Sequence, residues 1–175
     1  RGQDIDSDLT LLDESDYVTN NEITINEGMS FTNVSVELSS QCTDMAGIAT
    51  LEINVSDIST AFTKMGYSMG ALKYVVAEYD PADYPTLNMS TIEDETFTYV
   101  ARGILYQKGK TDIYSVFLEA GEVKNYLVIL YADSFAASDD VYSGTFSATI
   151  DTRVEQASIT PLEDFDYVLG SDRTN

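Results

Sequence analysis

Apolar and polar residues alternate with a period of two along much of this chain, the pattern of half-buried β-strands. The plainest case is residues 145–155. Phe146, Ala148, Ile150, Thr152 and Val154 share one face, while Thr145, Ser147, Thr149, Asp151, Arg153 and Glu155 take the other. The strand should therefore bury Phe146, Ile150 and Val154 and expose Asp151 and Arg153. The same parity turns Val34, Val36 and Leu38 inward and Asn33, Ser35 and Glu37 outward. It also turns Ala49, Leu51, Ile53 and Val55 inward and Thr50, Glu52 and Asn54 outward. Further strands are expected over residues 22–26, 72–79, 96–106, 112–118 and 123–132. The last carries the unbroken apolar run Tyr126, Leu127, Val128, Ile129, Leu130, Tyr131. A strand of this kind is covered on both faces, or its outer face meets a partner.

Turn signals separate these segments: Glu27-Gly28, Gly66, residues 81–85 with Pro81 and Pro85, Lys108-Gly109-Lys110, Ala120-Gly121-Glu122 and Ser143-Gly144. One short helix fits, with Asp57 as its N-cap, Ile58, Ala61, Phe62 and Met65 on one side, and Gly66 as the stop. Residues 79–95 read as a long surface loop. The fold class expected is all-β, a jelly-roll-like antiparallel β-sandwich with one or two short helices. The organisation expected is an N-terminal extension over residues 1–20, a sandwich domain over 21–156 and a C-terminal strand or tail over 157–175.

Composition narrows the function. The chain of 175 residues is 43% hydrophobic, enough for one sizeable core. No apolar run approaches the roughly 20 residues of a membrane-spanning helix. The chain begins with Arg1 rather than Met, which predicts a processed N-terminus. The net charge of -21, from 30 acids against nine bases, disfavours nucleic acid and anionic membrane surfaces. It also makes copies of the protein repel one another, so any assembly needs salt or divalent cations to offset that repulsion. There is no histidine, which removes the commonest general base and transition-metal ligand. No Ser-His-Asp set and no phosphate-binding glycine loop is present, and an enzyme is not expected. Cys42 is the single cysteine, so no intrachain disulfide can form; it reads as a small buried hydrophobe.

Three further features bear on binding. Asp4, Asp6 and Asp8 alternate as in a hard-cation loop, and Asp133, Asp139 and Asp140 fall in one expected loop. No cofactor is required by any motif; calcium is the ion these carboxylates would hold. Sequons begin at Asn33, Asn54 and Asn88, two on outward strand positions and one in the long loop, so all three are open to N-linked glycans. Finally, Ile5, Ser7, Leu9 and Leu11 share one parity at the extreme N-terminus. Such a segment can add a strand to its own sheet or to a neighbour's.

The stretch from Gly103 to Gln156 resembles a known family. Ala120-Gly121-Glu122-Val123-Lys124-Asn125-Tyr126 leads into an apolar strand, followed by a polar loop, Val141-Tyr142-Ser143-Gly144-Thr145-Phe146 and a strand ending Val154-Glu155-Gln156. This resembles the C-terminal half of the TasA/camelysin family of secreted matrix-fibre proteins. The tail beyond Gln156 is longer than that pattern. The resemblance implies a jelly roll, an extracellular or cell-surface location and assembly by donation of the N-terminal strand, which here falls on residues 4–12. The protease activity credited to camelysin-type members would need histidines that are absent here. The expectation is a filament subunit that polymerises head to tail with copies of itself. The alternative is a carbohydrate- or ligand-binding β-sandwich on a secreted or cell-surface protein, with tyrosines standing in for the missing tryptophans.

Overall fold

The computed structural model describes residues 3–6, 11–41, 45–63, 70–134 and 145–157. Ten strands run in chain order: β1 (Gln3–Asp6), β2 (Leu11–Leu12), β3 (Glu22–Thr24), β4 (Ser30–Glu37), β5 (Ala46–Ile58), β6 (Leu72–Glu78), β7 (Thr96–Ile104), β8 (Gly109–Glu119), β9 (Val123–Asp133) and β10 (Phe146–Ala157). One sheet has the order β1-β10-β5-β8; the other has β2-β9-β6-β7-β3, with β4 also paired to β9. With the two short strands β2 and β3 set aside, eight strands remain. Numbered along the chain, they stand in the orders 1-8-3-6 and 2-7-4-5. That is the double Greek-key order of a jelly roll, so the expected all-β sandwich is the fold. All pairings are antiparallel except the two-residue contact of β2 with β9.

The period-two faces are those expected for β4 and β5, except that Thr50, expected outward, is buried and shares a hydrogen bond of 3.0 Å with Ser115. Val34, Val36, Ala49, Leu51, Ile53 and Val55 enter the core between the sheets, with Leu118, Tyr126, Val128, Leu130, Phe146, Ala148 and Ile150. A second core lies on the other face of the β9–β6–β7 sheet. It joins Val75, Ala77, Phe97, Leu127, Ile129 and Tyr131 to Leu12, Ile23, Ile25, Met29 and Ile92. This explains the unbroken apolar run in β9: even residues face one core and odd residues the other, and Tyr126–Asp133 is buried throughout. The covering layer comes from residues 11–29 and from residues 79–95. Residue 20 is thus no structural boundary, and the long loop is more than surface. It contains a helical turn, α2 (Met89–Ile92), which buries Ile92 completely.

Two local expectations need correction. Asp57 does not cap a helix. β5 continues through it to Ile58, and the helical turn α1 is Thr60–Thr63, with the Phe62 N–H donating to the Ser59 carbonyl. Phe62 is buried as expected, whereas Ala61, Met65 and Gly66 bring side chains or backbone outside the description. Val154 is not buried either. It pairs with Ala49 in register and so has the inward parity, yet 42% of it is exposed. Phe146, Ala148 and Ile150 lie over the opposite sheet, but from Thr152 to Gln156 the strand is exposed at every position. Parity sets the direction of a side chain; it does not supply a layer for it to meet. Arg153 is exposed as expected, and Asp151 is half-buried. Cys42 lies outside the described residues.

The energetic contrast follows. Phe146→Ala should cost about 3–5 kcal/mol as a core truncation. Val154→Ala should cost less, about 1 kcal/mol or below, because 42% of Val154 is already in water and its loss opens no enclosed cavity. Urea unfolding of the two variants checks this; equal losses would show that the end of β10 is covered.

Candidate functional site

The outer edge of β10 is the site that the sequence singled out through its N-terminal partner. β5 pairs with the whole of β10 on one side. On the other side β1 pairs with part of it only: Gln3 with Ile150, Asp4 with Thr149, Ile5 with Ala148 and Asp6 with Ser147. No described strand pairs with the same edge from Asp151 to Ala157. In the single chain, therefore, Gln3–Asp6 and Leu11–Leu12 lie on their own sandwich and are not left free. Nor do they act as one strand. Gln3–Asp6 joins the first sheet, while Leu11 and Leu12 join the second, opposite Ala132 and Asp133. Ser7 and Leu9, and Asp8 with them, lie outside the described residues, as does the side-chain placement of Asp4, Ile5 and Asp6.

Beyond β2 the chain is held by a cluster of charges that the sequence reading did not find. Asp13 caps a short 3-10 turn, Glu14–Asp16, by accepting from the Ser15 N–H at 3.0 Å. Glu14 then reaches Lys73 of β6, which also donates to Asp133 of β9 at 3.0 Å. Arg102 of β7 stands 3.6 Å from Glu14, and the Glu14 N–H donates to Asp133 at 3.4 Å. Asp133 is 4% exposed. The available signal was Lys73 itself, a base alternating with Val75 and Ala77 on a face that becomes buried. A base there needs acids beside it. Asp133, expected among the calcium ligands, gives its carboxylate to Lys73 and Glu14 instead. Asp139 and Asp140 lie outside the described residues. No cluster of three or more metal-ligating side chains occurs among the described residues.

A cleft of about 580 Å³ opens at the other end of the same sheet, between residues 78–84 and the start of β9. Tyr79, Tyr84 and Phe97 supply rings, with Tyr84 and Phe97 5.4 Å apart; Glu78, Asp80, Asp83 and Asn125 supply polar groups. Of the sequon asparagines, Asn33 and Asn88 are exposed, while Asn54, expected to face outward, is half-buried on the central strand β5. Asn88 also caps α2, its side chain accepting from the Thr91 N–H and from the Ser90 hydroxyl at 2.6 Å.

Charge elsewhere is arranged tightly. Lys73, Arg102, Lys108, Lys110, Lys124 and Arg153 are all six of the bases among the described residues, and each has an acid partner. Arg153 spans β5 to hold Asp112 through two hydrogen bonds of 3.0 and 2.9 Å and also reaches Glu52. Its hydrogen bonds hold Asp112 below the ordinary carboxylate pKa. No unpaired base remains among these residues to meet phosphate. No helix among the described residues is long and apolar enough to cross a membrane. No family model matches the chain, and neither a curated protein nor a solved structure matches it.

The buried tyrosines give a pH prediction. Burial pushes Tyr126 and Tyr131 well above the ordinary value of 10.0. Burial pulls Lys73 down, but its bonds to Glu14 and Asp133 prevail and hold it above 10.5. All three groups bind protons more tightly folded than unfolded. The stability tied to them is complete below about pH 10 and is lost as the pH rises past it. Absorbance at 295 nm should therefore show these tyrosines ionising only with loss of the β-sheet circular dichroism. Ionisation of all 12 tyrosines near pH 10 with the fold intact would contradict the burial.

Proposed function

We propose that this protein is the structural subunit of an extracellular filament, in which copies join head to tail by exchanging the N-terminal strand. The observation that carries this reading is the character of β1. It is the first of the eight jelly-roll strands, it is four residues long, and among the described residues it pairs on one side only, at the edge of β10. The own-chain pairing argues against a donor that is permanently free. It narrows the reading to exchange: β1 leaves its own edge and takes the equivalent edge of a neighbour, recovering the same backbone bonds. A head-to-tail contact of this type leaves one unfilled edge and one free strand at the two ends, so it propagates as an open fibre.

Composition supports a structural role over a chemical one. The lack of histidine, and the acid partner of each base among the described residues, leave little for catalysis or for anionic partners. The net charge opposes close approach of copies, so filaments should grow faster as salt or calcium screens it. A second reading rests on the acidic cleft at Tyr79 and Tyr84, whose exposed ring surface and flanking Asn125 amide suit a sugar. N-linked glycans at Asn33, Asn54 or Asn88 would be compatible with either.

Cysteines at Ile5 and Ala148, in a Cys42→Ser background, test exchange directly, because these positions are partners in register. Oxidised under assembly conditions, the pair should give a ladder of covalent oligomers on a non-reducing gel. Disulfide closure solely within monomers, at every protein and salt concentration, would reject the exchange.

A further inference from the structure

The charge cluster on Glu14 lies where the N-terminal segment passes from one sheet to the other, and this placement bears on which part of the chain can be exchanged. The inference rests on the filament reading above but has a consequence for the isolated chain as well. We propose that Glu14, Lys73, Asp133 and Arg102 form the fixed pivot of the N-terminal segment, so that β1 alone is exchanged with a second copy while β2 and everything after it stay with their own chain.

The two strands are held very differently. β1 has backbone pairing at a sheet edge. β2 has only two paired residues, yet it is fixed from several directions: the Ser134 N–H donates to the Leu12 carbonyl at 2.8 Å, and Leu12 is 7% exposed in the second core. Immediately after it, Glu14 engages Lys73 and Arg102, bases on two different strands, and its own N–H engages Asp133. To release β2 would strip Lys73 and the buried Asp133 of an acid and a donor together, and would take Leu12 out of the core it shares with Ile23, Ile25 and Tyr131. Releasing β1 breaks one edge ladder. Edge ladders open at low free energy, whereas buried charge networks open only at high free energy.

The pivot also limits the geometry of the polymer. The five steps from Asp6 to Leu11 span at most about 18 Å when fully extended. A second copy must therefore present its β10 edge within that distance of the first chain's Leu11, so adjacent subunits touch rather than hang on a tether.

Hydrogen exchange on the monomer tests the pivot independently of assembly. The amides of Gln3–Asp6 should exchange at least about tenfold faster than those of Glu14 and Ser134. Lys73→Met should accelerate Glu14 and Ser134 while leaving the Val76 amide protected, and Lys73→Arg should restore much of the protection. If Gln3–Asp6, Glu14 and Ser134 exchange together in the unsubstituted protein, there is no pivot. In assembled material, a cysteine pair at Leu11 and Ala132 should close within one chain while the pair at Ile5 and Ala148 closes between chains. Interchain closure at Leu11 would move the exchanged segment past β2 and overturn the proposal. Intrachain closure at both pairs would reject exchange itself, with the monomer rates still deciding the pivot.

Discussion

Burial of β9 on both faces is the constraint from which the rest of the architecture follows. A strand reading Tyr126-Leu127-Val128-Ile129-Leu130-Tyr131 cannot leave either side in water without losing about 1.5–3 kcal/mol for each side chain so exposed. One side is satisfied by the opposite sheet of the jelly roll. The other needs a third layer, and the chain supplies it from two stretches that carry no long strand, residues 11–29 and residues 79–95. The segment leading into the sandwich is thus committed from Leu11 onward as core cover. Among the described residues before it, Gln3–Asp6 serves as an edge strand on β10.

Charge follows the same economy. The protein holds an excess of 21 negative charges, and the six bases among its described residues all lie against acids. Most of those pairs are on the surface and contribute little individually. The Lys73 cluster differs because Asp133 is enclosed, and its disruption would leave a charge without compensation. The cluster therefore ties the N-terminal cover to β6, β7 and β9 at one point. The net charge is strongly negative, so under the filament reading proposed above self-association would depend on ionic conditions.

Much of the fold was legible in the sequence because strand parity is a local property. The strands at Val34, Ile53, Val75, Ile113 and Ile150 were each expected within a few residues of their bounds, and Gly121 takes the positive φ of 80° that its turn position requires. The unbroken run in β9 correctly implied two covered faces. What was not legible depends on which elements meet. Val154 has inward parity, yet at the end of β10 it is left 42% exposed. The role of Lys73 depends on Glu14, 59 residues away, and on Asp133, 60 residues away. The N-terminal alternation over Ile5, Leu9 and Leu11 suggested a single donor strand. It is divided between two sheets because Leu11 and Leu12 meet the end of β9, a contact that no period-two pattern encodes.

The central claim is that the strand filling the β10 edge in the assembled protein comes from a neighbour. A density map of filaments grown from the intact chain tests this most directly. The account predicts that the strand beside Ser147–Ile150 connects to Leu11 of the adjacent subunit, whose own Leu11–Asp16 segment remains on its own β6 and β9. A strand that connects to Leu11 of the same subunit, or a protein that stays monomeric at high concentration in both salt and calcium, would contradict it.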